Sequence, residues 1–276
     1  MKKTQNHLQL PNVVSRDEWL VDRKKLLAKE REFTRARDAL NEERRRLPMV
    51  EIHKDYVFNG PHGKTSLLDL FEGRPQLIVH HFMFDPDWEA GCPACSLAVD
   101  NIGHLSHLHA RNTSLALISR APFPKLQCYK ERMNWEIHWY SSFDSDFNYD
   151  FHATLDESVA QIEYNYLTKD ELIQKGVPLD SLQSMEVPCF STFLCKGERI
   201  FHTYTTYARG TDLLIGTFNY LDLTALGRQE DWEKPSGRDD GNGKTWLRRH
   251  DEYEHAFESD DCCDSKKASC NECRRV

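Results

Sequence analysis

Apolar residues recur every seven positions through the first part of the chain, at Trp19, Leu26, Phe33, Leu40 and Leu47, with Leu20 and Leu27 beside them. Lys, Arg and Glu crowd the other faces. Ser15-Arg16-Asp17-Glu18 precedes the run as a capping box, and Pro48 closes it. The pattern predicts one long helix from Ser15 to about Arg46. Its narrow stripe has two uses. The simpler lays the arm along its own domain; the other pairs it with its copy in a homodimer.

From Met49 the period shortens. Tyr56-Val57-Phe58 reads as a strand, and Asn59 to Lys64 as a turn that makes it a hairpin. Ser66 caps a one-turn helix, Leu67 to Phe71, stopped by Gly73. Gln76 to Phe84 (QLIVHHFMF) is short, β-branched and aromatic, which predicts a buried central strand. Ser96 to His109 carries Leu97, Ala98, Ile102, Leu105 and Leu108 at helical steps, and Thr113 to Ser119 is a second buried strand. Strand, helix and strand in that order imply a right-handed parallel crossover. Pro122 and Pro124 open a helix to Met133, with Cys128 expected as a small buried side chain on it. Trp135 to Phe151 is dense in aromatic residues and reads as a packed wall. Thr154 to Glu186 is polar and reads as an insertion with a short helix near Lys169 to Lys175. Val187 to Cys195 and Arg199 to Tyr204 form a hairpin, and Tyr207 to Tyr220 a last helix. Residues 246–257 are expected to dock, and 259–276 to lack a fold.

The chemistry concentrates between the central strand and the next helix, at Gly91-Cys92-Pro93-Ala94-Cys95. A helix start offers unpaired N–H groups and the positive end of the dipole, which favour a thiolate. Two intervening residues bring the sulfurs within bonding reach and leave the first nearer solvent. Cys92 is therefore the expected attacking thiolate and Cys95 the resolving thiol.

Composition narrows the classes. Apolar residues make up 39% and charged residues 29%, with a net charge of −8, which disfavours nucleic acid as a partner. No apolar run reaches the roughly 18 residues of a membrane span, and no h-region follows Met1-Lys2-Lys3. Nine cysteines without an export signal fit reduced thiols in the cytoplasm better than a disulfide framework.

The assembled order resembles an α/β thioredoxin-like fold: a central mixed β-sheet flanked by helices, with a peroxiredoxin-like N-terminal extension and a long N-terminal helical arm. More closely, the chain resembles the thioredoxin-like family labelled predicted dithiol–disulfide oxidoreductases. That resemblance rests on Val14-Ser15-Arg16, Arg44 to Val50, His81-Phe82-Met83-Phe84, Gly91 to Ser96, Trp139 to Phe143 and Asp146 to Phe151. It continues through Phe201 to Tyr204, Tyr207 to Gly210, Asn219 to Leu223 and Arg248 to Asp251. It divides the chain into an arm (1–48), a thioredoxin-like domain (49–228) and a C-terminal extension (229–276).

The resemblance implies a thiol–disulfide oxidoreductase that needs no cofactor and has Cys92 and Cys95 as its catalytic pair. Its implied partners are a protein or small-molecule disulfide or thiol and a thiol reductant system. Trp88, Pro93, Pro188, Ser191, His202 and Arg209 are the substrate-site candidates. Pro188 or Ser191 would stand where thioredoxins carry a cis-proline. Two alternatives stay open. A thiol peroxidase would use Arg209 as its distant arginine, but Glu89 occupies the position where peroxiredoxins carry Thr or Ser. A copper or zinc protein would use Cys92, Cys95 and either His81 or His202. In the tail, Cys262-Cys263 and Cys270-x-x-Cys273, with His255 nearby, admit a zinc clip, an electron-shuttling dithiol or no role.

Overall fold

The computed structural model describes residues 10–178, 184–236 and 246–253. The four tail cysteines and His255 lie outside these. In chain order the elements are α1 (Arg16–Arg45), β1 (Val50–Ile52), β2 (Val57–Gly60), β3 (Gly63–Ser66), β4 (Gln76–His81), α2 (Pro93–Asp100), α3 (Ser106–His109), β5 (Thr113–Ser119), α4 (Phe123–Arg132), β6 (Trp139–Ser141) and α5 (Phe147–Asp150). They continue with β7 (Thr154–Asp156), β8 (Glu163–Tyr164), β9 (Leu167–Thr168), α6 (Lys169–Gln174), β10 (Ser184–Glu186), β11 (Cys189–Lys196), β12 (Arg199–Tyr207) and α7 (Gly216–Leu221).

Eight strands form one sheet in the order β1-β12-β11-β4-β5-β6-β2-β3. β4, β5 and β6 run parallel, while β11 pairs antiparallel with β4, and β12 with β11. The helical connections after β4 and β5, followed by an antiparallel hairpin on the far side of β4, make this a thioredoxin-like fold. The sheet has an apolar layer on each face, because β4 side chains alternate. Leu77 and Val79 join Phe58, Phe71, Phe147 and Phe193 on one face. On the other, Cys95 and Val99 of α2 pack with Phe82, Leu117, Leu126 and Trp139. Trp139, Tyr140, Phe147 and Phe151 of the aromatic stretch after α4 are packed core while Phe143 is exposed, and the stretch contains β6, a sheet strand that its rings conceal from a period-based reading. β7 to β10 and α6 build a small satellite around Leu155, Ile162, Leu172 and Val187.

α1 forms as its capping box predicts. The Glu18 N–H donates to Ser15 Oγ at 3.3 Å, and the Ser15 N–H donates to the Glu18 carboxylate at 3.0 Å. The arm meets its own domain at its last turn, where Arg44 lies over the Tyr204 ring at 4.8 Å, and is not buried along its length. No residue of α1 is buried, and Phe33 in mid-stripe is 63% exposed. One apolar residue per heptad buries too little area to hold a helix down. Good helix formers and charge pairs such as Arg46–Glu42 support it instead. Three further corrections are local. The helix expected from Ser96 to His109 stops at Asp100, where Asn101 Nδ2 donates back to the Leu97 carbonyl at 2.7 Å, and Gly103 follows before α3. The helix expected from Tyr207 to Tyr220 is a 3-10 segment over Ala208–Leu214, broken at extended Ile215, then α7. Cys128 is exposed, on the outer face of α4.

Candidate active site

Cys92 is the N-cap of α2 and Pro93 its first residue, where a missing N–H costs nothing. The Cys92 N–H donates to the Met83 carbonyl at 3.1 Å, tying the helix start to the extended chain beyond β4. The Met83 N–H in turn donates to Cys95 Sγ at 3.4 Å. Gly91 is required by close approach: a Cβ there would meet the Phe82 ring at 2.6 Å and Tyr129 at 3.1 Å. The strand end and helix start are therefore clamped before the sulfurs are placed.

The two thiols differ sharply. Cys92 is partly exposed and Cys95 buried. A hydrogen bond from the Cys95 thiol, helped by the Cys95 and Ala94 N–H groups and the Arg249 charge, lowers the Cys92 pKa to about 6 against the opposing effect of burial. Burial, then the neighbouring Cys92 sulfur, pushes Cys95 well above an ordinary thiol. The arrangement holds a thiolate at neutral pH on the accessible sulfur and a proton on the inner one.

Arg249 comes from the C-terminal segment at 246–253. Its Nε and Nη2 donate to the Gly91 carbonyl at 3.0 and 2.7 Å, and Nε also reaches Tyr129 Oη at 2.9 Å. Tyr129 Oη is 2.9 Å from Ser96 Oγ, which donates to the Cys92 carbonyl at 2.9 Å. Arg249 is thus locked beside the thiolate by groups that do not react. Arg249→Met is expected to slow iodoacetamide alkylation of Cys92 at pH 6 by about two- to fivefold. At pH 9, where the thiol ionises in either protein, the rates should converge. Arg249→Lys should restore part of the difference. Unchanged profiles would show that the charge does not reach the sulfur.

A cleft of about 560 Å³ opens over the cysteines. Of the residues expected to bind substrate, Pro93, Pro188 and Arg209 line it. The peptide bond before Pro188 is trans, since Lys234–Pro235 is the one cis bond among the described residues. Ser191 does not line the cleft. It is buried one residue along β11 from Phe190, on the opposite face of the sheet, with its Oγ 2.9 Å from both His81 Nε2 and Thr205 Oγ1. His202 bonds Thr205 Oγ1 at 2.7 Å and packs on Phe151 and Phe193, so it too belongs to that far layer. Trp88 sits on the loop after β4, half exposed, and does not line the cleft.

His81 stacks on Phe147 on the far face, so neither histidine named for a copper or zinc site stands with the cysteines. The histidine that lines the cleft is His80, stacked on Phe190 with ring centroids 4.2 Å apart. Burial lowers both imidazoles to about 3, which leaves them neutral. Among the described residues no three His, Cys, Asp or Glu side chains converge as a metal site. Sequence reasoning missed Arg249, Tyr129 and Ser96 as site residues because Ser96 and Tyr129 meet across 33 positions, and Arg249 meets Tyr129 across 120, with no shared motif. The stretches Gly91 to Ser96 and Arg248 to Asp251 carried a hint of Ser96 and Arg249, and nothing marked Tyr129.

Several solved structures are similar in their strand and helix arrangement. One is a cysteine mutant of PrxQ from Xylella fastidiosa, at 7% identity and a TM-score of 0.38, covering 60% of this chain and 88% of that one. Another is the peroxidoxin BcpB from Mycobacterium tuberculosis, at 12% and 0.38, covering 63% and 96%. A third is the mitochondrial 2-Cys peroxiredoxin from Plasmodium falciparum, at 12% and 0.37, covering 63% and 95%. No curated protein sequence matches the chain. A family model described as bacterial protein of unknown function, DUF899, matches residues 8–253, nearly the whole chain, and the protein belongs to that family.

Proposed function

We propose that the protein is a thiol–disulfide oxidoreductase working through Cys92 and Cys95. The observation that carries this is the asymmetry of the pair: a thiolate-poised, accessible Cys92 hydrogen-bonded by a buried, protonated Cys95 at a helix start. Cys92 attacks a disulfide sulfur and forms a mixed disulfide. Cys95 then loses its proton and attacks Cys92, closing the intramolecular disulfide. Stabilising the thiolate stabilises the reduced state, so this disulfide should be more oxidising than that of thioredoxin.

A redox titration in glutathione buffers, with acid quench, alkylation and peptide mapping, tests the reading. The expected result is one two-electron transition confined to Cys92 and Cys95, between about −270 and −120 mV. If that pair never closes a disulfide, the reading fails. A peroxidase would need a polar group holding peroxide at Cys92. Glu89, three residues before it, is exposed, and Arg249 spends its hydrogen bonds on Gly91, Tyr129 and Glu252. Nothing at the site favours that reading over disulfide exchange.

A further inference from the structure

We infer that the cleft over Cys92 selects a small, uncharged, apolar organic disulfide and excludes the extended loop of a protein substrate; this rests on the oxidoreductase reading above. The size comes first. About 560 Å³ lies within the roughly 300–1,000 Å³ of small-molecule sites. The walls come next. Ala98, Phe190 and Ile215 form a buried apolar cluster, with Leu97 and Phe218 packed on it, and all five line the cleft. The flat His80–Phe190 stack lies beneath. Tyr164 from the satellite, Glu230 and Leu247 also line the cleft. Tyr164, Ile215, Phe218, Glu230 and Leu247 come from the insertion and from the chain after β12, outside the core strand–helix–strand unit.

A protein loop needs backbone groups to pair with, and the strand edges nearest the cleft are engaged within the sheet. β11 is hydrogen-bonded on both edges, from Cys189 onward, to β4 and β12. Just before it, the Val187 N–H donates to the Ala153 carbonyl at 2.8 Å. Among the described residues β11 presents no open edge beside the cysteines for strand addition.

Charge separates the remaining candidates. Arg209 is the one cation lining the cleft, and it stacks on Trp232 at 3.9 Å and pairs with Asp212. Asp212 is also held by Arg228. Asp212 and Glu230 line the cleft with Arg209, so an anionic disulfide such as oxidised glutathione meets two carboxylates against one guanidinium among the described lining residues, whereas an apolar one finds desolvated surface.

In one turnover the Cys92 thiolate attacks one sulfur of R–S–S–R, the S–S bond breaks, and RS⁻ leaves. Cys95 then gives up its proton to solvent or to that RS⁻, and its sulfur displaces the second RS⁻ from Cys92. Two electrons pass from the dithiol to the substrate disulfide, and a dithiol reductant is needed to restore the protein.

The test is single-turnover oxidation of the reduced full-length protein by di-2-pyridyl disulfide, oxidised glutathione and insulin. Iodoacetamide alkylation of Cys92 serves as a measure of thiolate alone. Thr211→Trp, which fills the cleft from its rim, should slow di-2-pyridyl disulfide at least tenfold while leaving alkylation within twofold. Phe218→Ala, which removes a wall instead of adding bulk, should raise the half-saturating concentration of the same disulfide about fivefold. Insulin should react no faster than with a free small dithiol. Insulin reduced rapidly, with both variants unchanged toward the pyridyl disulfide, would overturn the substrate class and leave the oxidoreductase reading standing. Normal alkylation with no exchange on any disulfide would overturn the oxidoreductase reading itself, and the inference with it.

Discussion

Cys92→Ser is expected to lower disulfide exchange by about a thousandfold or more, because a hydroxyl is not ionised near neutral pH and is a poor nucleophile toward sulfur. The loss should come without unfolding. Cys92 is the N-cap of α2, and serine is among the preferred caps, so stability should hold or rise by up to about 1 kcal/mol. Cys95→Ser should behave differently. Cys92 can still attack, but nothing resolves the product, so one mixed disulfide should accumulate per chain and be visible by intact mass. Cys95→Ala adds a check on the electrostatics. It removes the hydrogen bond that does most to lower the Cys92 pKa, so the pH at which alkylation is half-maximal should move up from about 6. For the native protein the sign is fixed: the rate rises as pH passes through about 6 and is flat by about 7.5. A Cys92→Ser variant with exchange within threefold of native would remove Cys92 from the chemistry altogether.

How much of this was legible depended on the range over which each feature is encoded. The capping box of α1, the run that became β4 and the C-x-x-C at a helix start are each written in a few adjacent residues, and each formed at the expected place, although β4 ends at His81 and not at Phe84. The heptad stripe was just as legible as a helix but said nothing true about packing, because period reports which face is apolar and not whether anything meets it. β6 was hidden for a related reason. Its three residues lie inside a stretch whose rings face several directions, and its partner β5 is set by the crossover. The candidate Ser191 failed by one residue of strand alternation, whereas His202 lies on β12, which contributes no residue to the cleft. Phe190 lines the cleft and Ser191 does not, and a shift of one inverts the side. His80 and His81 split the same way. Arg249 and Tyr129 meet Cys92 only through the closed tertiary structure, which no local pattern records.

Arg120→Met is expected to destabilise the protein by about 3–5 kcal/mol, since it leaves a buried carboxylate without its counter-charge. Arg120 follows directly on β5, and its guanidinium reaches three other parts of the chain. It bonds Glu186 on β10, Asp85 on the loop after β4, and Tyr149 Oη on α5 at 2.6 Å. Glu186 is 2% exposed, and its remaining bonds come from Thr154 Oγ1 on β7, at 3.0 and 3.1 Å. The two partners respond in opposite senses. The carboxylates, Glu186 first, outweigh burial and hold the guanidinium charge firmly, whereas burial raises the Glu186 pKa in spite of Arg120. The ion pair therefore does not fully offset the cost of burying the carboxylate, and removing the arginine exposes that cost in full. The pH dependence follows. A carboxyl whose folded pKa lies above its unfolded value favours the fold most below the unfolded value, and this is lost as pH rises through the folded one. In Arg120→Met that folded value moves higher, so the gap to the native protein should be smallest near pH 5 and widen toward pH 8. Thermal melts at the two pH values measure it, with a fall in Tm of about 10 °C at the higher one. Arg120→Met with Glu186→Leu should recover most of the loss, because an apolar pair replaces an orphaned charge. If the single variant melts with the native protein at pH 8, the network does not tie the satellite to the central sheet.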